Sequence, residues 1–258
     1  MKRPKRTTPV MAVTEAELAA MTDGLDQLHN DVGMPAMRSA VERWSSESRT
    51  TRRGFLIGAG VAAAGVAVAA CSSSSGTSNT TTTGSGTTKA LLTGDLAVAA
   101  LAASLENLAV TAYGDVLTAA SAGKLGAVPP AVATFVTTVR AQHVQHAQAW
   151  NAAITGAGHP AVTGPDKTLV PVVDKTFAKV TDVSGAAQLA LMLEDIAAAT
   201  YQSAVSAVKA TSSIRVAASI QPVEMQHAAI LHFVLGQYPV PDAFSPLAGA
   251  RPLTDYTG

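Results

Sequence analysis

Residues 104–108 read Ser-Leu-Glu-Asn-Leu, and residues 192–196 read Met-Leu-Glu-Asp-Ile. In both segments a single glutamate stands in the middle of an apolar run. Glutamate is a good helix former and normally occurs freely on solvated helix faces, yet only three glutamates follow Cys71: Glu106, Glu194 and Glu224. A buried carboxylate is costly unless it is paired or bound to a metal. These positions therefore indicate an internal site rather than a solvated surface.

The spacing of apolar residues around these glutamates predicts four long helices. They cover residues 89–122, 129–156, 184–210 and 212–236. Pro129 and Pro130 suit the first turn of the second helix, and Ser184 suits the N-cap of the third. The first and last pairs of helices have short links, whereas a long stretch rich in glycine and proline separates the second helix from the third. The predicted fold is an all-α four-helix bundle, in which one long crossover joins two antiparallel hairpins.

Histidines also occur at helical spacing, one of them paired with a glutamate and two paired with each other. Glu224 and His227 are three residues apart, so they project from one face of the fourth helix, and His143 and His146 repeat that spacing on the second. One glutamate from each of two helices, combined with a Glu-x-x-His motif on each of the other two, forms a dimetal carboxylate site in a bundle core. The predicted metal ligands are Glu106, His143, His146, Glu194, Glu224 and His227.

The two predicted hairpins also repeat each other. A tyrosine follows the glutamate of the first helix by seven residues, and another follows that of the third: Tyr113 and Tyr201. Residues 145–147 read Gln-His-Ala, as do residues 226–228. The repeats predict two related hairpins that face one metal pair. Tyr113 and Tyr201 are interpreted as buried residues that support the ligands through a bonded hydroxyl, rather than as redox relays.

With these motifs the chain resembles the ferritin-like superfamily, and most closely the bacterial ferritin-like domain family related to desiccation-associated proteins. The resemblance covers about Ala90 to Gly236. It implies a ferritin-like four-helix bundle that binds metal. The expected cofactor is iron or manganese in a dimetal centre, and a degenerate site would hold none. The roles that it implies are terminal ligation by Glu106 and Glu194, bridging by Glu224, and one nitrogen ligand for each metal from His146 and His227.

Two residues depart from the family pattern. His143 stands where that pattern has a second bridging glutamate, which leaves three carboxylates and three imidazoles in the site. Imidazole does not bridge two metals as a carboxylate does, although it can ligate one of them. Pro222, two residues before Glu224, lacks a backbone N–H and predicts a kink in the fourth helix beside the site.

The region before the bundle has the composition of an export signal. Arg52 and Arg53 precede Gly-Phe-Leu, and a short apolar run rich in glycine and alanine leads from there to Cys71. A basic segment, a short apolar segment and small residues before a cleavage point define a secretory signal, and the paired arginines resemble its twin-arginine form. Residues 68–71, Val-Ala-Ala-Cys, resemble a lipobox, in which Cys71 is lipidated and becomes the new N-terminus. The apolar run is short for a membrane span, which needs about 20 residues.

Composition divides the chain into five segments. They are residues 1–48, an N-terminal extension; 49–71, the signal; 72–88, a Ser/Thr/Gly-rich linker; 89–236, the bundle; and 237–258, a proline-rich tail. The linker composition cannot bury a core and is typical of a flexible tether. The tail is expected either to pack loosely over the bundle or to extend away from it.

The N-terminal extension allows two interpretations. Apolar residues at helical spacing over residues 15–32 predict a small amphipathic helix, which would lie in the cytoplasm and be removed with the signal. Alternatively, the extension precedes the true start of translation, with initiation at Met34 or Met37.

Composition also limits the function. The 18 basic residues balance the 18 acidic ones, which does not fit nucleic-acid binding, and a single cysteine excludes an internal disulfide framework. Two functions remain. One is a redox metalloprotein, lipid-anchored to the outer face of the cytoplasmic membrane after passage through the twin-arginine translocase. The other is a non-catalytic envelope lipoprotein that keeps the bundle for its shape. A monomer or dimer is expected rather than a storage cage.

Overall fold

A computed structural model describes residues 13–47, 92–242 and 246–254. Its secondary structure in these ranges is helical throughout, with no strand. The helices are α1 (Glu15–Leu28), a π-helical turn (His29–Gly33), α2 (residues 34–47), α3 (Asp95–Ser121), α4 (Pro130–Gly156), α5 (Val170–Phe177), α6 (Val183–Ala207) and α7 (Thr211–Val234). Arg52, Arg53, Cys71 and the linker over residues 72–88 lie outside the described ranges.

The four-helix bundle consists of α3, α4, α6 and α7. The most extensive contacts between helices join α3 to α4 and α6 to α7, so two hairpins form, and the long connection runs between α4 and α6. The predicted fold class is thus confirmed. The connection contains the short helix α5, which the sequence analysis did not predict. This helix packs on the bundle through Val173, in one apolar cluster with Leu108 and Leu193.

Helix ends and interruptions follow local chemistry, with one correction. The N-cap of α6 is Asp182 and not Ser184, because the Asp182 carboxylate accepts a hydrogen bond of 2.7 Å from the backbone N–H of Gly185. Ser184 already lies inside the first turn. Helix α7 continues through Pro222 to Val234, so this proline does not end the helix.

Two larger hydrophobic clusters fill most of the bundle. One contains Phe135 and Tyr113, and the other contains Trp150 and Tyr201. Alanines supply much of both clusters and let the helices approach closely. Helix α3 is long and apolar enough to cross a membrane, but 72% of its most apolar window is buried inside the fold. Its hydropathy is accounted for by this burial.

Residues 13–47 pack against the bundle, and we call them the N-terminal cap. The predicted helix is present, beginning after Thr14, which forms a capping box with Glu17. The cap contacts α4 and α7. Leu18 joins one hydrophobic cluster, and Trp44 joins the other. The amphipathic face of the cap therefore continues the core of the bundle, which the sequence analysis did not anticipate.

The end of the chain returns to the bundle at Arg251. The guanidinium Nε of Arg251 lies 3.1 Å from Oδ2 of Asp166, on the connection between the hairpins. The backbone N–H of Arg251 donates to the Thr200 hydroxyl on α6 at 2.9 Å. Of the two expectations for the tail, packing on the bundle holds at this residue.

Candidate metal centre

The six residues that the sequence singled out meet in the middle of the bundle, and each is at most 2% exposed. They form two overlapping groups, each with potential ligand atoms that lie within 4.8 Å of one another. The groups are Glu106, His143, His146 and Glu224, and His143, Glu194, Glu224 and His227. Every helix of the bundle contributes. Because all these atoms are nitrogens or carboxylate oxygens, either group could hold a metal ion.

Glu224 is the carboxylate that both groups share. It is fully buried, and neither of its side-chain oxygens has a hydrogen-bond partner. Oε1 nevertheless lies 3.0 Å from Nδ1 of His146, and Oε2 lies 3.6 Å from Nδ1 of His227. An unbonded buried carboxylate is costly. Potential ligand atoms that lie this close without hydrogen-bond geometry are better placed to bind a shared metal ion than to bond to each other.

The other two glutamates are held by tyrosines from the opposite hairpin. The Tyr201 hydroxyl on α6 donates to Glu106 on α3, and the Tyr113 hydroxyl on α3 donates to Glu194 on α6. Burial and the nearby carboxylates raise the pKa of both tyrosines well above the usual value. Each hydroxyl therefore stays neutral and can keep donating.

His143 lies between these two glutamates. Its Nδ1 is 2.7 Å from Oε2 of Glu106, and its Nε2 is 3.3 Å from Oε1 of Glu194. Burial opposes the charged form, but Glu224, Glu194 and Glu106 together raise the pKa of His143 well above its usual value. In the metal-free protein His143 is thus an imidazolium that donates to two different carboxylates.

In the metal-free cluster, protons on the imidazoles balance the negative charges of the carboxylates. Burial opposes ionisation of Glu106, but His146 and His143 outweigh it and lower the pKa of this carboxyl to about 2. Burial likewise opposes protonation of His146, yet Glu106 and Glu224 raise its pKa to about 9. The pKa of His227 is also raised, by Glu194 and Glu224 against the effect of burial. Because metal ligation requires neutral imidazole, a metal must displace these protons.

His227 has an outer partner that the sequence analysis missed. The side-chain oxygen of Gln142 on α4 lies 2.8 Å from Nε2 of His227, and Gln142 is 1% exposed. An amide oxygen only accepts, so Nε2 carries a hydrogen, and Nδ1, which faces Glu194 and Glu224, is the nitrogen that could bind a metal once its own proton is displaced. Gln142 precedes His146 by four residues on the same face of α4, a spacing visible in the sequence.

His29 of the cap lies beside the cluster and was also missed. Its ring meets that of His146 edge to face, with centroids 5.1 Å apart. Burial, reinforced by His146, lowers the pKa of His29 to about 4, so its ring is neutral at neutral pH. No motif connects position 29 with the bundle. The remaining histidine on α7, His232, lies outside the cluster and bonds to Gln237.

The fold and the centre together define a class of protein, a four-helix bundle that carries carboxylates and imidazoles from all four helices in its core. The model of the ferritin-like domain family matches residues 94–237, more than half of the chain. The chain belongs to the ferritin-like domain family. No curated protein and no solved structure matches it. The closer relation to desiccation-associated proteins stays a prediction.

Proposed function

We propose that the cluster binds a pair of metal ions, iron or iron with manganese, and that the protein reacts with dioxygen or peroxide, or oxidises Fe(II), at the cell envelope. The observation that carries the proposal is Glu224, whose two buried oxygens have no hydrogen bond while imidazole nitrogens crowd around them. Mixed carboxylate and imidazole ligands suit these metals.

The residues divide between the two ions in a simple way. Glu106 and His146 would hold one ion, Glu194 and His227 would hold the other, and Glu224 would bridge the pair. When bound, such ions supply one-electron chemistry with oxygen species. The chain contributes burial that excludes water, together with two neutral tyrosine donors that hold the terminal carboxylates in place.

Metal content tests this proposal. The full-length chain, purified without chelators or reconstituted with Fe(II) and Mn(II), should contain about two ions by elemental analysis, as expected for a dimetal bundle site. The double variant Glu106→Ala, Glu194→Ala should lose them. Asp115→Ala, which removes an exposed carboxylate from α3, is the matched control and should retain them. Protein that stays metal-free after reconstitution would falsify the proposal.

The proposed location rests on the signal and lipobox predicted from the sequence. Passage through the twin-arginine translocase fits a protein that folds and loads metal before export, and a lipid on Cys71 would then hold it at the outer face of the cytoplasmic membrane. Cys71→Ser should move the protein out of the membrane fraction. Arg52→Lys with Arg53→Lys should leave the uncleaved precursor in the cytoplasm. Unchanged fractionation of both variants would contradict the proposal.

A second candidate is a metal-free bundle that serves as a structural or protective envelope lipoprotein. The observation in its favour is that Tyr113, Tyr201 and His143 already give Glu106 and Glu194 hydrogen-bond partners without any metal. This function requires that variants of the metal-ligand residues stay folded and functional. A ligand that binds only the native state raises the melting temperature, so a clear gain on adding Fe(II) or Mn(II) would exclude this candidate.

A further inference from the structure

The N-terminal cap reaches the metal centre at two points. Asp26 and His29 lie at the end of α1 and the start of the π-helical turn, one helical turn apart. Asp26 contacts Gln142 and His29 contacts His146, both on α4. His29 thus contacts a proposed histidine ligand directly, and Asp26 contacts the glutamine that is bonded to the other one.

The first contact is a chain of hydrogen bonds. The side-chain N–H of Gln142 donates to Oδ1 of Asp26 at 3.3 Å, while its oxygen lies 2.8 Å from Nε2 of His227. If the amide turned over, its N–H groups would face His227 and its oxygen would face the Asp26 carboxylate. Asp26 therefore orients Gln142, and Gln142 holds the hydrogen of His227 on Nε2, away from the metal-facing Nδ1.

The second contact, between His29 and His146, takes the place of a hydrogen-bond partner that the second hairpin does not supply. Gln142 precedes His146 by four residues, and the residue at the matching position before His227 is Val223, which has no polar side-chain atom. His146 thus has no counterpart of the Gln142 bond, and its Nε2 is buried without a hydrogen bond. The ring of His29 packs edge to face on the ring of His146 instead, with its own Nε2 2.7 Å from the side-chain oxygen of Gln145.

The π-helical turn over His29–Gly33 occurs where the cap passes the metal centre. A π turn inserts an extra residue into an α-helix and is frequent at functional sites. Here it allows Leu25 before the turn and Met37 after it to face the bundle, with His29 buried between them.

We propose that the N-terminal cap positions both histidine ligands, with Asp26 acting on His227 through Gln142 and His29 acting directly on His146, and that it thereby sets how long the centre retains its metal. This inference rests on the proposed metal pair. Loss of an outer partner of a metal-bound histidine typically costs 10- to 100-fold in metal affinity. The cap lies upstream of the proposed cleavage before Cys71, so the effect belongs to the uncleaved chain.

The chain supplies its own reporter of cap docking. It has two tryptophans, Trp44 in the cap and Trp150 in α4, and their rings meet edge to face with centroids 6.1 Å apart. Undocking separates these rings and exposes Trp44 to water. Tryptophan fluorescence of the metal-free chain therefore measures docking.

The test measures the rate at which a colorimetric chelator removes Fe(II) from the full-length chain carrying Arg52→Lys and Arg53→Lys. Asp26→Ala and His29→Phe, which keeps an aromatic ring, should each release Fe(II) at least about 10-fold faster with unchanged fluorescence. Asp26→Asn, which keeps an oxygen for Gln142, should restore slow release. Met37→Ala, roughly 12 Å along the helix from His29, is the control for packing alone.

The outcomes separate the two proposals. Fe(II) release at the parent rate from both Asp26→Ala and His29→Phe overturns the cap proposal and leaves the metal pair intact. If either variant undocks the cap, its Fe(II) release rate is compared with that of Met37→Ala under conditions where the tryptophan fluorescence shows the same docked fraction. Equal release rates mean that the cap does not position the histidines and overturn the proposal. Faster release from the Asp26 or His29 variant supports it. A parent chain that binds no Fe(II) overturns the metal proposal, and the cap proposal with it.

Discussion

The two hairpins of the bundle form equivalent hydrogen bonds to each other, but they contribute different residues to the candidate metal centre. Each sends a tyrosine across to the glutamate of the other, Tyr113 to Glu194 and Tyr201 to Glu106. At the next pair of equivalent positions, however, the first hairpin carries His143 and the second carries Glu224. The fold is a near-repeat, while the centre it encloses is not.

This difference shows where the asymmetry of the centre arises. Glu224 has two unbonded oxygens, whereas both nitrogens of His143 already face terminal carboxylates. In the proposed centre, the second hairpin thus offers a carboxylate that could bridge two ions, and the first offers a cation that would compete with metal. The repeated backbone places the side chains equivalently. The residue types at positions 143 and 224 then decide how much positive charge metal ions could bring to the cluster.

The largest expected effect comes from removing the carboxylate of the second hairpin. Glu224→Gln keeps the volume and removes the charge shared by both proposed ions, so metal affinity should fall by more than about 100-fold, beyond the usual cost of losing an outer partner. Calorimetric titration with Mn(II) measures it. His143→Gln is the matched change in the first hairpin. Equal losses from both variants would contradict the proposed asymmetry.

Restoring a carboxylate to the first hairpin should act in the opposite direction. In His143→Glu the centre gains a fourth carboxylate and loses a competing cation, so Mn(II) should bind more tightly, by about 10-fold or more on the scale of ligand-environment effects. The metal-free variant should melt at a lower temperature, because four buried carboxylates would face two imidazoles. A variant with weaker Mn(II) binding and an unchanged metal-free melting temperature would argue against the competing role of His143.

The protons shared between the hairpins should make stability depend on pH. Raised imidazole pKa values, to about 9 for His146, stabilise the metal-free fold below the ordinary value of 6.5, and this contribution is lost as the pH rises through 9. The lowered pKa of Glu106, about 2, adds stability above the ordinary value of 4.5 that is lost as the pH falls through 2.

In a melting series the metal-free protein should therefore lose stability between pH 6.5 and 9. The gain in melting temperature on adding Mn(II) should grow over the same range, because fewer protons must be displaced. A gain that shrinks with rising pH, under conditions that keep Mn(II) soluble, would be the opposite of this expectation.

The smallest effect should separate the two tyrosines. The Tyr201 hydroxyl donates to Glu106 and accepts from the Trp150 indole N–H at 2.8 Å. The position in the other hairpin that corresponds to Trp150 is Leu231, which shares a hydrophobic cluster with Tyr113 and has no side-chain N–H to donate. Tyr201→Phe leaves two buried atoms without a partner, Oε1 of Glu106 and Nε1 of Trp150, at a cost of about 1–3 kcal/mol each. Tyr113→Phe removes one donor from Oε1 of Glu194, which Nε2 of His143 still reaches at 3.3 Å. Urea unfolding of both metal-free variants should therefore show the larger loss for Tyr201→Phe, and the reverse order would contradict this accounting.

Much of the bundle could be predicted from sequence because its pattern is local. Rare glutamates, histidines three residues apart and a Tyr repeat identify four helices and the faces that meet. Other features required contacts between distant segments. The packing of Trp44 on Trp150 links residues separated by a long stretch of low-complexity sequence. An amphipathic helix shows that something covers its apolar face, but its spacing does not identify the partner. Likewise, α5 lies in a Gly- and Pro-rich connection where helix signals are weak.

Anomalous X-ray diffraction from crystals of the full-length chain grown with Mn(II) tests the central claim most directly. The account predicts two anomalous peaks in the bundle core, one beside Glu106 and His146 and one beside Glu194 and His227, both in contact with Glu224. Crystals that bind Mn(II) only elsewhere, or that show Glu224 bonded to His146 and His227 with no peak between them, would contradict it.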